Sequence, residues 1–227
     1  MSFGIHVTNT SGNVLIDQDY TNYMQIASTS FSVTYSATQL TTGYAIISGY
    51  THNDSDLVFF NTGHANNSGF AYPVSAGGGA TSGVSWQIWP RGSSATVQVK
   101  IFRRADLLSL AGSQYGLEVY KADGTTLAFS SKYVPMKVAA VSSFTPLSSS
   151  PQYTANGFVP FISANTCFVL GRVEEGDGED FYGLLEYQTV SADATKTYTK
   201  YIQVDQSPSD QFPNYEYQGT VIAFSIK

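Results

Sequence analysis

The chain has 227 residues, of which 11 are basic and 17 acidic, so its net charge is −6 while only 12% of its residues are charged. A phosphate-binding surface needs clustered Lys and Arg, and here only Arg103 and Arg104 are adjacent, which argues against nucleic acid as a partner. The chain is polar mainly through Ser, Thr, Asn, Gln and Tyr, and 14% of it is aromatic. Such a composition is typical of all-β proteins in extracellular or assembled settings, and not of helical enzymes.

The first strand pattern of the chain occurs twice. Residues 3–12 read FGIHVTNTSG and residues 115–124 read YGLEVYKADG, 112 positions later, and MQIA at 24–27 returns as MKVA at 136–139. A fixed offset of half the chain length predicts an internal duplication, with one domain at 1–110 and a second at 113–227. The alternative is one larger sandwich that uses two similar hairpins.

Short alternating runs follow along both halves. Val97–Ile101 is an example, with apolar residues at every second position, as expected for a strand with one buried and one solvated face. Helix signals are scarce, and the best of them, at Asp106–Leu110, predicts a helical turn where the two copies join. We therefore expect an all-β protein of two tandem β-sandwiches, immunoglobulin-like or jelly-roll-like.

Two tryptophans in the first half are candidate contact residues. Trp86 and Trp89 lie three apart, so in a regular strand they point to opposite faces, and one ring is expected to face outward. An outward ring would bind a glycan, contact a neighbouring subunit, or simply cover the sheet. Tyr198 and Tyr201 repeat the spacing in the second half.

A segment rich in tyrosine interrupts the repeat near its end. Phe212, Tyr215 and Tyr217 fall in an insertion that the first half lacks. Loops rich in Tyr and Asn make adaptable binding surfaces, so this segment is the preferred subunit or glycan contact of the second half.

An acidic run is the sharpest local feature, and it is a weak candidate for calcium. Its carboxylates belong to Glu174, Glu175, Asp177, Glu179 and Asp180. Oxygen ligands suit calcium, but the spacing does not match an EF-hand loop. The alternative is a solvated hairpin tip whose charge prevents edge-to-edge aggregation. Asn53–Asp56 occupies a similar place in the first half.

Other chemistry-bearing patterns are missing from the sequence. His6, His52 and His64 lack metal-ligand spacing, no Gly-x-Ser-x-Gly elbow is present, and Cys167 is alone in an apolar run. The sequence predicts neither an enzyme nor a cofactor. Residues 1–4 lack the features of a secretion signal, and no apolar run is long enough to cross a bilayer. We therefore expect folding in a cytoplasm and no membrane insertion.

The two opening segments resemble a known family. The pattern of an aromatic residue, Gly, an apolar residue, any residue and Val, then a turn with Gly and an apolar run, covers about 25 residues of each copy. It is similar to the opening of small β-rich proteins encoded among the tail genes of long-tailed bacteriophages. That resemblance implies a virion protein of the tail tip or fibre region, assembled in the host cytoplasm, and it offers no catalytic residues.

The leading hypothesis is therefore a non-enzymatic structural component of a phage tail tip, baseplate or fibre region that supports tail assembly and host attachment. Its partners would be other tail proteins, with the chain forming a homo-oligomer or ring in the virion. The alternative is a carbohydrate- or receptor-binding module that contacts a host surface glycan. A capsid decoration protein and a cell-wall hydrolase are further possibilities that the sequence leaves open.

Overall fold

The structure, a computed structural model, describes residues 6–8, 14–17, 21–36, 41–75, 82–108, 116–144, 150–164, 169–175, 181–208 and 221–226. In the first half of the chain the strands are β1 (His6–Thr8), β2 (Val14–Asp17), β3 (Tyr23–Val33), β4 (Thr41–Ile46), β5 (Leu57–Asn61), β6 (Asn67–Ser75), β7 (Ser82–Pro90) and β8 (Ala95–Arg104). In the second half they are β9 (Glu118–Tyr120), β10 (Leu127–Ser130), β11 (Val134–Pro135), β12 (Val138–Phe144), β13 (Ser150–Thr154), β14 (Phe161–Ala164), β15 (Val169–Glu175), β16 (Phe181–Ala192), β17 (Lys196–Pro208) and β18 (Val221–Ile226). A single 3₁₀ turn at Ala105–Leu107 is the one helical element among the described residues. The expected all-β class is confirmed.

Each half opens with a two-stranded hairpin, as the repeated sequence predicts. β1 pairs with β2 and β9 pairs with β10, and the second hairpin lies 112 to 113 residues after the first. The turn of the second hairpin is held by Asp123, whose Oδ1 accepts hydrogen bonds from the backbone N–H groups of Thr125 and Thr126, both at 2.8 Å. These bonds and the one from the Thr126 hydroxyl hold the pKa of Asp123 at about 2. Gly124 supplies the left-handed φ of +71° that this turn requires.

The remaining strands form two large antiparallel sheets. The first sheet has the order β11-β3-β8-β5-β14-β18-β12, and the second has the order β13-β17-β16-β6-β7-β4, with β15 pairing beside β16. Alternating side chains of the first sheet pack against the inner face of the second. Val97, Val99 and Ile101 of β8 meet Val84 and Ile88 of β7 in this main core, and all five are at most 1% exposed.

The first sheet is curved so strongly that its two end strands, β11 and β12, lie close together. Its outer strands β11 and β12 are joined by residues 136 and 137 alone. A flat sheet of seven strands would separate its outer strands by about 29 Å, whereas this link spans about 11 Å at most. The sheet must therefore curl, and Met136 lies against its inner face, packed on Phe59, Phe102 and Phe161.

Both large sheets contain strands from both halves of the chain. β5 pairs with β14 in the first sheet, and β6 pairs with β16 in the second. Ile162 and Ala192, from the second half, belong to the main core. In addition, the β9–β10 hairpin packs on the first half, where Val119 and Phe129 share a cluster with Met24.

Buried hydrogen bonds reinforce this junction between the halves. Asn61 Nδ2 donates to the carbonyl of Pro160 at 2.7 Å and to that of Asp193 at 2.8 Å. The Thr62 hydroxyl donates to the carbonyl of Ala192 at 3.0 Å and accepts from its N–H at 3.1 Å. Asn61 and Thr62 are at most 4% exposed, so the Asn61 amide donors have no water to replace the carbonyls that the second half provides.

The strand orders bear on the predicted duplication without confirming it. If β11 and β15 are left out and the other strands are matched in chain order after each hairpin, β3-β8-β5 corresponds to β12-β18-β14, and β4-β7-β6 to β13-β17-β16. Under this matching, the two strand pairings that join the halves, β5 with β14 and β6 with β16, are each between a strand and its counterpart. Counterparts pair in this way around a two-fold axis. The predicted boundary between 110 and 113 follows the 3₁₀ turn, but the sheets and the core extend across it. The division into two domains stays a prediction.

Candidate functional site

A polar groove lies on the inner face of the rolled sheet. It has a volume of about 480 Å³ and is lined mainly by residues of β3 and β8, among them Ser28, Ser30, Gln98 and Lys100, with Phe161 of β14 at its side. We call it the β3–β8 groove. Its size falls in the range of about 300–1,000 Å³ that is usual for ligand-binding clefts.

Strand register explains why these side chains share one face. Ser28 lies opposite Lys100 and Ser30 lies opposite Gln98 in the β3–β8 pair, while Phe59 of β5 lies opposite Lys100 on its other side. Gln98 and Lys100 alternate along β8 with the buried valines and isoleucine of the main core. The pleat of β8 therefore turns its apolar side chains to the core and its polar side chains to the groove.

Polar side chains line the groove, and an aromatic cluster is buried beside it. Phe59, Phe102 and Phe161 cluster on the same sheet face, with Phe59 and Phe102 in an edge-to-face arrangement at 5.7 Å between ring centroids. Ser28, Ser30 and Gln98 supply hydroxyl and amide groups to the groove. The three rings are at most 5% exposed, so a ligand in the groove would meet mainly these polar groups.

Lys100 is the charged group of the groove. It is half-buried, and its Nζ lies 4.1 Å from the centroid of the Phe161 ring. Within the described part of the chain Lys100 forms no ion pair, since the ion pairs found there involve His52, Arg103 and Arg104. Burial lowers the pKa of the Lys100 amine. The groove thus contains a cation that meets an aromatic ring but no described carboxylate.

Comparison with protein-family models, with curated proteins and with solved structures finds no match to this chain. Among the described residues, no helix has the length and apolar character that crossing a membrane requires.

The structure places both predicted tryptophans in buried positions. Trp86 is 8% exposed and belongs to the main core, where it stacks on Phe31 with ring centroids 4.3 Å apart. Trp89 points to the opposite face, as the spacing predicts, but it is 0% exposed. The expectation that one ring faces outward is therefore wrong, because that end of the outer face is covered as well. Gly43, the cross-strand neighbour of Trp86, leaves the room for the indole, since a Cβ there would lie 2.2 Å from the ring.

The other predicted contact residues lie wholly or partly outside the described residues. Tyr198 and Tyr201 belong to β17, but their side chains are not among those described. Phe212, Tyr215 and Tyr217 lie outside the described residues altogether. Subunit or glycan contact at these five positions stays a prediction.

The acidic run is only partly described. Glu174 and Glu175 end β15, and Glu175 lies opposite Phe181 of β16. Asp177, Glu179 and Asp180 lie outside the described residues. Among the described residues, no group of three or more His, Cys, Asp or Glu side chains is arranged to hold a metal ion. Calcium binding by the run stays a prediction.

Asp56, from the acidic segment of the first half, has a different role. Arg103 donates two hydrogen bonds to its carboxylate, Nε to Oδ1 at 2.7 Å and Nη2 to Oδ2 at 2.8 Å, and the Tyr50 hydroxyl donates a third at 2.7 Å. Burial alone would raise the pKa of Asp56, but the bonds from Arg103 and Tyr50 outweigh it and hold the pKa below its usual value. Burial and the bond to Asp56 raise the pKa of Tyr50. This ion pair attaches the segment that precedes β5 to strand β8.

Sequence reasoning did not find the groove, although one signal pointed to it. The alternation at Val97–Ile101 predicts a wet face that contains Gln98 and Lys100. That this face curls inward and gains Phe161 depends on pairings between strands far apart in the chain. No local sequence pattern predicts strand pairings of this kind.

Proposed function

We propose that the chain is a non-enzymatic structural component of a bacteriophage tail tip, baseplate or fibre region, which supports tail assembly and host attachment. The observation that carries this proposal is the recurring opening hairpin, β1–β2 and β9–β10, whose sequence resembles tail-gene proteins. The strand orders add support, because two modules that pair through counterpart strands can occupy two equivalent places around a symmetry axis.

In this proposal the chain acts by binding neighbouring tail proteins through its surface. The second sheet ends in β4 and β13, two counterpart strands that have one edge without a partner among the described strands. Such edges accept strands of neighbouring proteins through backbone hydrogen bonds. The groove and the tyrosine-rich segment around Tyr215 would then contact the host or adjacent tail proteins.

The test is to locate the chain in virions of the phage that encodes it, by negative-stain imaging with an antibody against the chain. Label at the distal tail is the expected result. Label on the capsid would overturn the tail assignment while keeping a structural role, and virions that bind no antibody although the antibody binds the denatured chain would overturn the virion proposal.

The second candidate function is binding of a host-surface carbohydrate. The observation that favours it is the β3–β8 groove, which combines hydroxyl and amide groups with the amine of Lys100. The buried tryptophans do not contribute to it, because neither ring presents a face for stacking on a sugar.

A further inference from the structure

We propose that the β3–β8 groove binds an anionic sugar, with its acidic group at Lys100 and its hydroxyls at Ser28, Ser30 and Gln98. This inference rests on the second candidate function and names its ligand class. The acidic group is a carboxylate or a phosphate on the sugar, since both present oxygen acceptors to an ammonium group.

The position of Lys100 gives the first argument. An ammonium group that is partly withdrawn from water gains from a nearby anion, because burial penalises an isolated charge. The Lys100 amine lies over the face of the Phe161 ring, with its Nζ 4.1 Å from the ring centroid. A ring face attracts the ammonium charge but leaves the N–H donors of the amine without a strong acceptor. A bound anion would complete this environment.

The neighbours of Lys100 give the second argument, because they distinguish a sugar acid from a bare anion. Serine hydroxyls flank the amine on β3, at positions opposite Lys100 and Gln98. Each hydroxyl both donates and accepts, and so does the amide of Gln98, which matches the mixed donors and acceptors of sugar hydroxyls. Arg103, the next basic residue of β8, is already paired with Asp56, so Lys100 is the cation left for a ligand.

The experiment is titration calorimetry on the purified full-length chain. The probes are a disaccharide that contains glucuronate, glucose 1-phosphate, the neutral disaccharide with glucose in place of glucuronate, and inorganic phosphate. We expect the two acidic sugars to bind at least tenfold more tightly than the neutral disaccharide and than inorganic phosphate. The ratio between the two acidic sugars identifies whether carboxylate or phosphate is the preferred acid.

Three lysine variants distinguish binding in the groove from a general effect of positive charge. Lys100→Gln is expected to weaken binding of the acidic sugars about ten- to hundredfold, because it removes a charge-assisted hydrogen bond. Lys132→Gln is the matched control, since Lys132 is exposed and also lies over an aromatic ring, Tyr133 at 5.7 Å, but outside the groove. It is expected to leave binding unchanged. Lys100→Arg, with the same melting temperature as wild type, is expected to keep most of the affinity.

Two results would overturn the inference, and they differ in what they imply. Equal binding of acidic and neutral disaccharides would overturn the role of Lys100 while leaving carbohydrate binding in place. Absence of binding by every sugar would overturn both. The location of the chain in virions is measured separately, so neither result depends on the tail assignment.

Discussion

At the scale of single residues, the structure depends on buried polar side chains whose partners come from distant segments. Asp56 is the clearest case, because its side chain has no exposed surface and its carboxylate accepts from Arg103 and Tyr50. Leaving the Arg103 guanidinium without a counter-charge is costly, since its side chain is only 16% exposed.

Asp56→Asn is expected to lower the free energy of unfolding by about 3–5 kcal/mol at neutral pH. The pH dependence follows from the lowered pKa of Asp56. The stabilisation by the carboxylate is fully present above its unfolded pKa of about 3.9, and it is lost as the pH falls through the lower folded pKa. Urea unfolding of wild type and variant between pH 7 and pH 2.5 measures both effects, and the variant should lose less stability on acidification.

The control for this prediction is Asp106→Asn, which removes a more exposed ion pair. Arg104 Nη2 lies 2.6 Å from Asp106 Oδ2, and the two side chains are 44% and 18% exposed. A pair of this kind contributes at most about 1 kcal/mol. If Asp56→Asn were no more destabilising than Asp106→Asn, the structural role of the Asp56 pair would be refuted.

At the scale of elements, β4 is an edge strand without the usual protection against pairing. It contains no charged residue and no proline, and its outer side chains Tyr44 and Ile46 are 42% and 60% exposed. At the opposite end of the second sheet, β13 carries Pro151. An unprotected edge is a template for another strand, so β4 is the better surface for self-association.

We expect the chain to self-associate through β4 in solution, by antiparallel pairing with β4 of a second copy. This is the way in which counterpart strands already pair inside the chain, β5 with β14 and β6 with β16. Tyr44→Lys and Ile46→Lys should shift sedimentation velocity profiles to the monomer. Leu117→Lys, at a residue 46% exposed on the β9–β10 side, is the control and should not. A wild-type chain that stays monomeric at high micromolar concentration would contradict the prediction.

The elements also show what local sequence can and cannot predict. The alternating run at Val97–Ile101 correctly predicts β8, because that strand has one face whose burial repeats every second residue. The helical turn expected at Asp106–Leu110 is present as a 3₁₀ turn at Ala105–Leu107. The expectation that one of the two tryptophan rings faces outward is wrong, because period-two alternation tells which face a residue is on and not what covers that face.

At the scale of the whole molecule, the two halves share their sheets and their core. The hydrogen bonds of Asn61 and Thr62 to Pro160, Ala192 and Asp193 cross the junction in buried surroundings. Elements that share a core unfold together, so the chain is expected to behave as one cooperative unit.

Thermal unfolding followed by near-UV and far-UV circular dichroism should therefore show one coincident transition. Asn61→Ala removes the two hydrogen bonds that Asn61 donates across the junction and is expected to destabilise that single transition by about 1–3 kcal/mol. Asn67→Ala is the matched change inside the first half, where a fully buried Asn67 bonds to Gly92 and Ser93. It should shift the same transition without splitting it. Two separate transitions, with only one of them moved by Asn67→Ala, would show instead that the halves unfold independently.

The short link between β11 and β12 has a consequence for how the chain tolerates being cut. Residues 134–144 pair with β3 at their start and with β18 further on, so one continuous stretch of the second half completes the sheet of the first. A break engineered between residues 109 and 115 would leave each fragment with unpaired strands that only the other fragment can satisfy. The two fragments should therefore remain together after cleavage, and they should reassemble when separately prepared and mixed.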